Sequence, residues 1–267
     1  MTSRVTGDLL ALRSHLLGLE RVVVAFSGGA DSAFLAWVAH DTLGRAGALA
    51  VTAVSPSLAP SERDDCAALA ADWGLRWATV DTDELARPAY VANDRDRCAH
   101  CKTELLDALV PVAVAEHATV VLGVNLDDLG EHRPGQEVAA SRGAVFPLVV
   151  AGFTKDDVRR ASRELGLRTW DKPAAACLAS RVPHGTPVTL GTLGRVAEAE
   201  AGLHGLGFGQ LRVRHYGDLA RIELEAADLS RAVERRAEVV EVVRRAGYRY
   251  VTLDLEGFRS GNLSPPV

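Results

Sequence analysis

Two serines, two glycines and an aspartate in close order, Ser27-Gly28-Gly29-Ala30-Asp31-Ser32, follow a valine-rich run and precede apolar residues at helical spacing. A strand, a glycine loop and a helix start aim several backbone N–H groups and the positive dipole end at one point, which suits a phosphate. Gly28 and Gly29 allow close backbone approach, and Ser27 and Ser32 add hydroxyl donors. Asp31 is out of place beside a bare anion, but beside bound phosphates it makes sense as a Mg²⁺ ligand. The loop is neither G-x-x-x-x-G-K-[ST] nor G-x-G-x-x-G, so the Walker and dinucleotide readings do not apply. The plain alternative is a strand-to-helix turn in which Asp31 only caps the helix.

A second constellation is Cys98-Ala99-His100-Cys101, at the start of an expected helix where dipole and free N–H groups favour thiolate. Cys177 stands in a loop with Lys172, Ser180 and Arg181, an electropositive setting, while Cys66 among alanines reads as a small core residue. Three chemistries are open to these thiols. One is zinc, with His100, His132 or His184 as the fourth ligand. Another is a dithiol redox pair, and the third is a [4Fe–4S] cluster on Cys98, Cys101 and Cys177 with one iron open to sulfide.

Asn125, Asp127 and Asp128 fall just past the fourth expected strand, at the carboxyl edge where open α/β sheets bind ligands. They read as nucleotide and Mg²⁺ contacts, or as turn formers. Arg212 and Arg214 alternate on a strand and share a face, which suits a phosphate or carboxylate, or else a surface ion pair. Glu200, on the helix before them, is placed to orient them. Asp228 begins a long helix as its N-cap.

Positioning these groups takes a particular order of elements. Strands are expected at Arg21–Phe26, Leu49–Val54, Arg76–Asp81 and Thr119–Val124, with helices at Asp31–Arg45, Ser61–Trp73 (opened by a Ser-x-x-Asp cap) and Lys102–Glu116. Asp81–Arg97 reads as a polar loop. Alternating strands and helices mean a doubly wound parallel α/β sheet. The rhythm changes near Pro183. A helix over Thr189–Leu206, strands Gln210–His215 and Ala220–Leu224, a helix Asp228–Ala246 and a strand Tyr248–Leu253 then suggest a smaller α+β domain of antiparallel type. The expected boundary is Val182–Thr186, giving a domain over 1–182 and another over 183–267.

At 267 residues, 48% hydrophobic and 24% charged, the chain can bury a core for one large or two small domains. Its net charge of −5 argues against a broad cationic surface for nucleic acid. No apolar run nears the ~20 residues that span a bilayer, and the N-terminus lacks a signal layout. The reading is a soluble, cytoplasmic protein. Four cysteines in such a chain make no disulfide framework.

Ser-Gly-Gly-x-Asp-Ser after a buried strand resembles the PP-loop of the N-type ATP pyrophosphatases. Beyond that loop the chain is similar along nearly its whole length to the LarE family of ATP-dependent sulfur transferases, which act in nickel-pincer nucleotide biosynthesis. The resemblance rests on Arg97-Cys98-x-x-Cys101-Lys102, Gly123-x-Asn125-x-Asp127-Asp128, Arg133-Pro134-Gly135, Lys172-Pro173-x-x-x-Cys177-Leu178-x-Ser180-Arg181, Ala199-Glu200 and Arg212-Val213-Arg214. Glu131-His132 departs from the family's usual Asp-Tyr. The resemblance implies ATP and Mg²⁺ at Ser27, Gly28, Gly29, Asp31, Ser32, Asn125 and Asp128. It implies catalytic roles for Asp31, Cys177 and Ser180. It also implies a pyridinium mononucleotide held by Arg97, Arg181, Glu200, Arg212, Arg214 and Asp228. Family members with one cysteine give up its sulfur, whereas those with the extra C-x-x-C hold a [4Fe–4S] cluster and use sulfide or another sulfur donor. This chain has all three thiols. No nucleic-acid or membrane partner is expected, and a homo-oligomer is. The rival readings are a PP-loop tRNA thiolase, an amidating synthetase of the NAD or GMP type, and a non-catalytic nucleotide or iron–sulfur sensor.

Overall fold

The computed structural model describes residues 7–130, 134–173 and 176–259. Glu131, His132 and Arg133 lie outside the described residues. The chain forms two compact units. The first comprises Met1–Ser55, Pro60–Glu84 and Cys98–Ala175, and the second Pro56–Ala59, Leu85–Arg97 and Ala176–Val267. The Val182–Thr186 stretch lies inside the second unit, which also takes up two short earlier segments.

In the first unit the elements run α1 (Leu9–Leu19), β1 (Val22–Ala25), α2 (Ala30–Gly47), β2 (Ala48–Val54), α3 (Pro60–Asp72) and β3 (Arg76–Asp81). After α4 (Pro88–Ala92) of the second unit come α5 (Arg97–Glu116), β4 (Thr119–Val121), α6 (Pro134–Ser141), α7 (Pro147–Val150) and α8 (Lys155–Glu164). The four strands form one parallel sheet in the order β3-β2-β1-β4. Consecutive valines show why it is covered on both faces. Val22 and Val24 pack into a cluster with α1 and α2, while Val23 packs into another with Leu106 and Leu109 of α5. This is the expected doubly wound arrangement.

Several details differ from expectation. Pro60 takes the first position of α3, so Ser61 lies inside the helix instead of capping it. The helix bearing Cys98 and Cys101 starts at Arg97, five residues before the expected Lys102. Asp81–Arg97 is not wholly a loop, since it holds a 3-10 turn and α4. Helix α8, unmarked in the sequence reading, is opened by a capping box between Thr154 and Asp157.

The second unit continues with α9 (Leu190–Gly205), β5 (Leu211–Tyr216), β6 (Leu219–Leu224), α10 (Leu229–Glu234), α11 (Arg236–Arg245) and β7 (Tyr250–Leu253). Its sheet is mixed, not antiparallel: β5 and β6 are antiparallel, but β7 runs parallel to β6 because α10 and α11 carry the chain back across. The single helix expected over Asp228–Ala246 is broken at Arg235 (φ −93°, ψ 23°). No glycine or proline marks that break. A tertiary contact does, as the Arg235 guanidinium reaches the Leu206 carbonyl at 2.7 Å. The core is built from Ala199 and Leu203 of α9, Val213, Ile222 and Leu224 of the sheet, and Val239 and Val243 of α11.

Candidate functional site

The glycine loop of the first unit sits between β1 and α2. Gly28 has φ +69°, and a Cβ there would lie 2.9 Å from the Cys66 sulfur, so both backbone and space require glycine. Gly29 opens α2 with no side chain capping the helix, leaving the first N–H groups to a ligand. Ser32 shapes the loop: its hydroxyl accepts from Ser27 N at 3.3 Å and donates to the Gly29 carbonyl at 3.1 Å. Gly123 lets the end of β4 approach, since a Cβ on it would lie 2.8 Å from Ser32 N.

Asp31 stands in the first turn of α2 and accepts a hydrogen bond from Asn125 Nδ2 at 3.0 Å. Burial pushes its carboxyl above the usual range, and nearby Asp128 adds to that, against the Asn125 hydrogen bond and the Lys155 charge. Asp128 in turn accepts from Asn125 N at 3.2 Å. Asp127 is occupied differently, accepting from Lys155 N at 2.7 Å where α8 begins. Two oxygen donors beside a phosphate-binding loop fit Mg²⁺, which uses one or two carboxylates plus phosphate and water. Among the described residues no three His, Cys, Asp or Glu side chains form a metal-binding group, so such an ion would take its remaining ligands from phosphate and water.

Lys172 also approaches this loop, its Nζ being 3.7 Å from where a Gly28 Cβ would stand. Its ammonium is held by Glu62 at 2.8 Å and Asp65 at 2.6 Å. Burial opposes that charge, but the two carboxylates outweigh burial and raise the pKa. Lys172 is thus paired with two acids of α3.

No disulfide joins the four cysteines. Cys66 is buried in the first core, as expected, and burial pushes its thiol up. Cys98 is exposed and Cys101 half-buried in the opening turns of α5, with the Cys101 thiol donating to Glu84 Oε1 at 3.8 Å. Both belong to the first unit and Cys177 to the second. The donor chemistry of three cysteine sulfurs fits an iron–sulfur cluster in kind. Of the histidines considered for zinc, His184 faces the Asn93 carbonyl through Nδ1, and His132 lies outside the described residues.

Cys177 is exposed and precedes a 3-10 turn, Leu178–Arg181, whose carbonyls are gripped by buried donors. Arg97 donates to the Ala179 carbonyl at 2.9 Å. Arg214 donates to that of Ser180 at 3.0 Å, and Arg181 to that of Ala176 at 2.6 Å and to the Ser180 hydroxyl at 3.0 Å. Asn93, fully buried and left-handed (φ 60°, ψ 42°), accepts from Arg97 and donates to the carbonyls of Pro183 and Thr186, each at 2.8 Å. Sequence reasoning missed Asn93; its one signal is a residue type that tolerates the left-handed region.

Around the turn stand the second unit's charges. Glu200 accepts from Arg181 Nε and from Val213 N, both at 2.9 Å, so it anchors helix to strand. Glu223, also missed, is fully buried and bonded by Arg214 and Arg221, each at 2.9 Å. Its signal was its place opposite Arg212 across the β5–β6 ladder. Arg212 itself is 7% exposed. Among the described residues no carboxylate pairs with it. Burial lowers its pKa, and the charges of Arg181 and Arg214 lower it further, against the smaller opposing pull of Glu223 and Glu200. A buried cation among cations, without an acid of its own, is a place for an anion. Asp228 precedes α10 without capping it and pairs with Arg231 at 3.0 Å.

Comparison with known proteins agrees with these features. The NAD synthase family model matches residues 7–106. An uncharacterized protein of Synechocystis sp. is 46% identical over 256 residues, 95% of both chains. The pyridinium-3,5-bisthiocarboxylic acid mononucleotide synthase of Lactiplantibacillus plantarum is 37% identical over 254 residues, covering 95% of this chain and 92% of that one. The glutamine-dependent NAD(+) synthetase of Aquifex aeolicus is 32% identical over 91 residues, only 33% of this chain and 16% of that one.

Proposed function

The chain belongs to the LarE family of ATP-using sulfurtransferases, and from that premise we propose that it converts a carboxylate of pyridinium-3,5-biscarboxylic acid mononucleotide into a thiocarboxylate. A carboxylate oxygen attacks the α-phosphorus of ATP, pyrophosphate leaves, and an acyl adenylate forms. Hydrosulfide then attacks the acyl carbon, the C–O bond to AMP breaks, and thiocarboxylate and AMP remain. Adenylation turns a poor leaving group into a good one, so the protein's work is positioning and charge neutralisation.

The observation that carries this reading is that Asp31 in the first unit and Arg212 in the second stand without an ion-pair partner among the described residues. Asp31, with Asn125 and Asp128, suits a Mg²⁺–triphosphate at the glycine loop. Arg212 suits the anionic group of the mononucleotide. Ser27, Ser32, Gly28 and Gly29 frame the phosphates. Glu200, Arg181, Arg97 and Asn93 hold the Cys177 turn, and Ser180 and Arg214 belong to that frame.

Cys98, Cys101 and Cys177 would hold a [4Fe–4S] cluster, which when bound supplies an open iron for exogenous sulfide. Three cysteines outside any disulfide, in the C-x-x-C and Pro-x-x-x-Cys patterns, support it. The exposure of Cys177 on a clamped turn favours a second reading, in which its own sulfur is spent.

Pyrophosphate release should require the pyridinium mononucleotide; release without it, or none at all, would contradict the assignment. Anaerobic protein supplied with sulfide should form more than one equivalent of product, and Cys98→Ala should lose iron and activity together. Product stopping at one equivalent, with spent protein lighter by about 34 Da, the mass of H₂S, would establish sacrifice of Cys177 instead.

A further inference from the structure

Four arginines crowd the second unit's sheet, and three have a carboxylate. Arg181 has Glu200, while Arg214 and Arg221 share Glu223. Arg212 lies opposite Glu223 in the ladder, but the hydrogen bonds to that acid come from Arg214 at Oε2 and Arg221 at Oε1, and no ion pair joins it to Arg212. What lies against the Arg212 guanidinium is a ring: Cζ stands 4.6 Å from the centroid of Phe258.

Phe258 is not loosely placed. Its N–H donates to the Leu224 carbonyl at 2.7 Å, tying the segment after β7 to the end of β6. The preceding Gly257 has φ +74° and lies so close that a Cβ would stand 2.9 Å from the same carbonyl oxygen. Only glycine permits that approach. An aromatic face attracts a guanidinium through its quadrupole but accepts none of its five N–H bonds and cancels none of its charge. A carboxylate at the same place would do both.

We propose that Phe258 is a positioning residue of the anion site, holding Arg212 by cation–π contact so that its charge and N–H fork stay available to the substrate's anionic group. The proposal rests on the reading that Arg212 binds the mononucleotide. It explains why a buried arginine is kept among arginines without an acid: the protein fixes the side chain with a partner that does not compete with the ligand.

Calorimetric titration with the pyridinium biscarboxylate mononucleotide, and separately with Mg²⁺ and a non-hydrolysable ATP analogue, tests it. Phe258→Leu should weaken mononucleotide binding by about three- to tenfold with analogue binding unchanged. Phe258→Tyr, which keeps the π face, should stay within about twofold of wild type. Added to Arg212→Met, Phe258→Leu should cost nothing more, because its effect passes through the guanidinium. The proposal is overturned if Phe258→Leu weakens binding equally in both backgrounds, or leaves it unchanged where Arg212→Met does not. Unchanged binding in Arg212→Met would instead overturn the reading of Arg212, and the proposal with it.

Discussion

The glycine-loop edge of the first unit and the arginine-rich sheet of the second are opposite in sign but alike in construction. In the first, Asp31 is raised in pKa by burial with Asp128 nearby, and its hydrogen bond comes from a neutral amide, not a cation. In the second, Arg212 is buried among like charges and held by a ring. Elsewhere the same residue types are matched. Lys172 has two acids, Arg181 has Glu200, and Glu223 has two arginines. A fold makes a ligand site where it withholds the counter-ion, and the contrast between Arg212 and Arg214, two residues apart on one strand, shows it most sharply.

The largest effect expected is at Asp31. Asp31→Asn should abolish conversion of ATP to AMP and pyrophosphate while raising the melting temperature at neutral pH. The sign follows from the raised pKa: between the unfolded carboxyl's value and its own, the folded protein binds the extra proton, so stability falls as pH rises through that window. Removing the charge recovers that loss. Retained pyrophosphate release would exclude the Mg²⁺ role, and a lowered melting temperature would contradict the electrostatics.

Next come the two arginines. Arg214→Ala removes a buried hydrogen-bonded charge from the fully buried Glu223, and should cost about 3–5 kcal/mol in urea unfolding. Arg212→Ala should cost little stability but raise the mononucleotide's Kd about ten- to a hundredfold, the loss of a charge-assisted contact. Equal effects on both measurements would erase the distinction between a paired and an unpaired arginine.

The smallest effect lies at the start of α8. Burial alone would raise the Asp157 carboxyl, but hydrogen bonds from the Thr154 side chain and backbone, among others, bring it down to about 2. Its contribution is complete above the unfolded carboxyl's pKa and lost as pH falls through about 2. Asp157→Asn should therefore cost about 2 kcal/mol at pH 7 and almost nothing near pH 2. A deficit independent of pH would mean that the capping box stabilises by shape and not by charge.

The parallel sheet was legible because β1, β2 and β3 are apolar or β-branched runs followed by glycine or polar turns, and local pattern is enough for buried strands. The glycine loop was legible for the same reason, its chemistry being contiguous in sequence. What escaped depends on tertiary partners. The break at Arg235 coincides with its contact to the Leu206 carbonyl just past α9, and the direction of β7 follows the path of α10 and α11. Arg212 and Arg214 looked equivalent because alternation gives a face but not a partner. The partners, Glu223 and Phe258, come from other strands and segments, as does the Asn93 hub that meets residues some ninety positions away.

A crossed titration tests the central claim most directly. Asp31→Asn and Arg212→Met are each titrated with Mg²⁺ and a non-hydrolysable ATP analogue, and separately with the pyridinium biscarboxylate mononucleotide. If each unit withholds its own counter-ion for its own ligand, Asp31→Asn loses the nucleotide and keeps the mononucleotide, and Arg212→Met does the reverse. Loss of both ligands by either variant, or of neither by both, would contradict it.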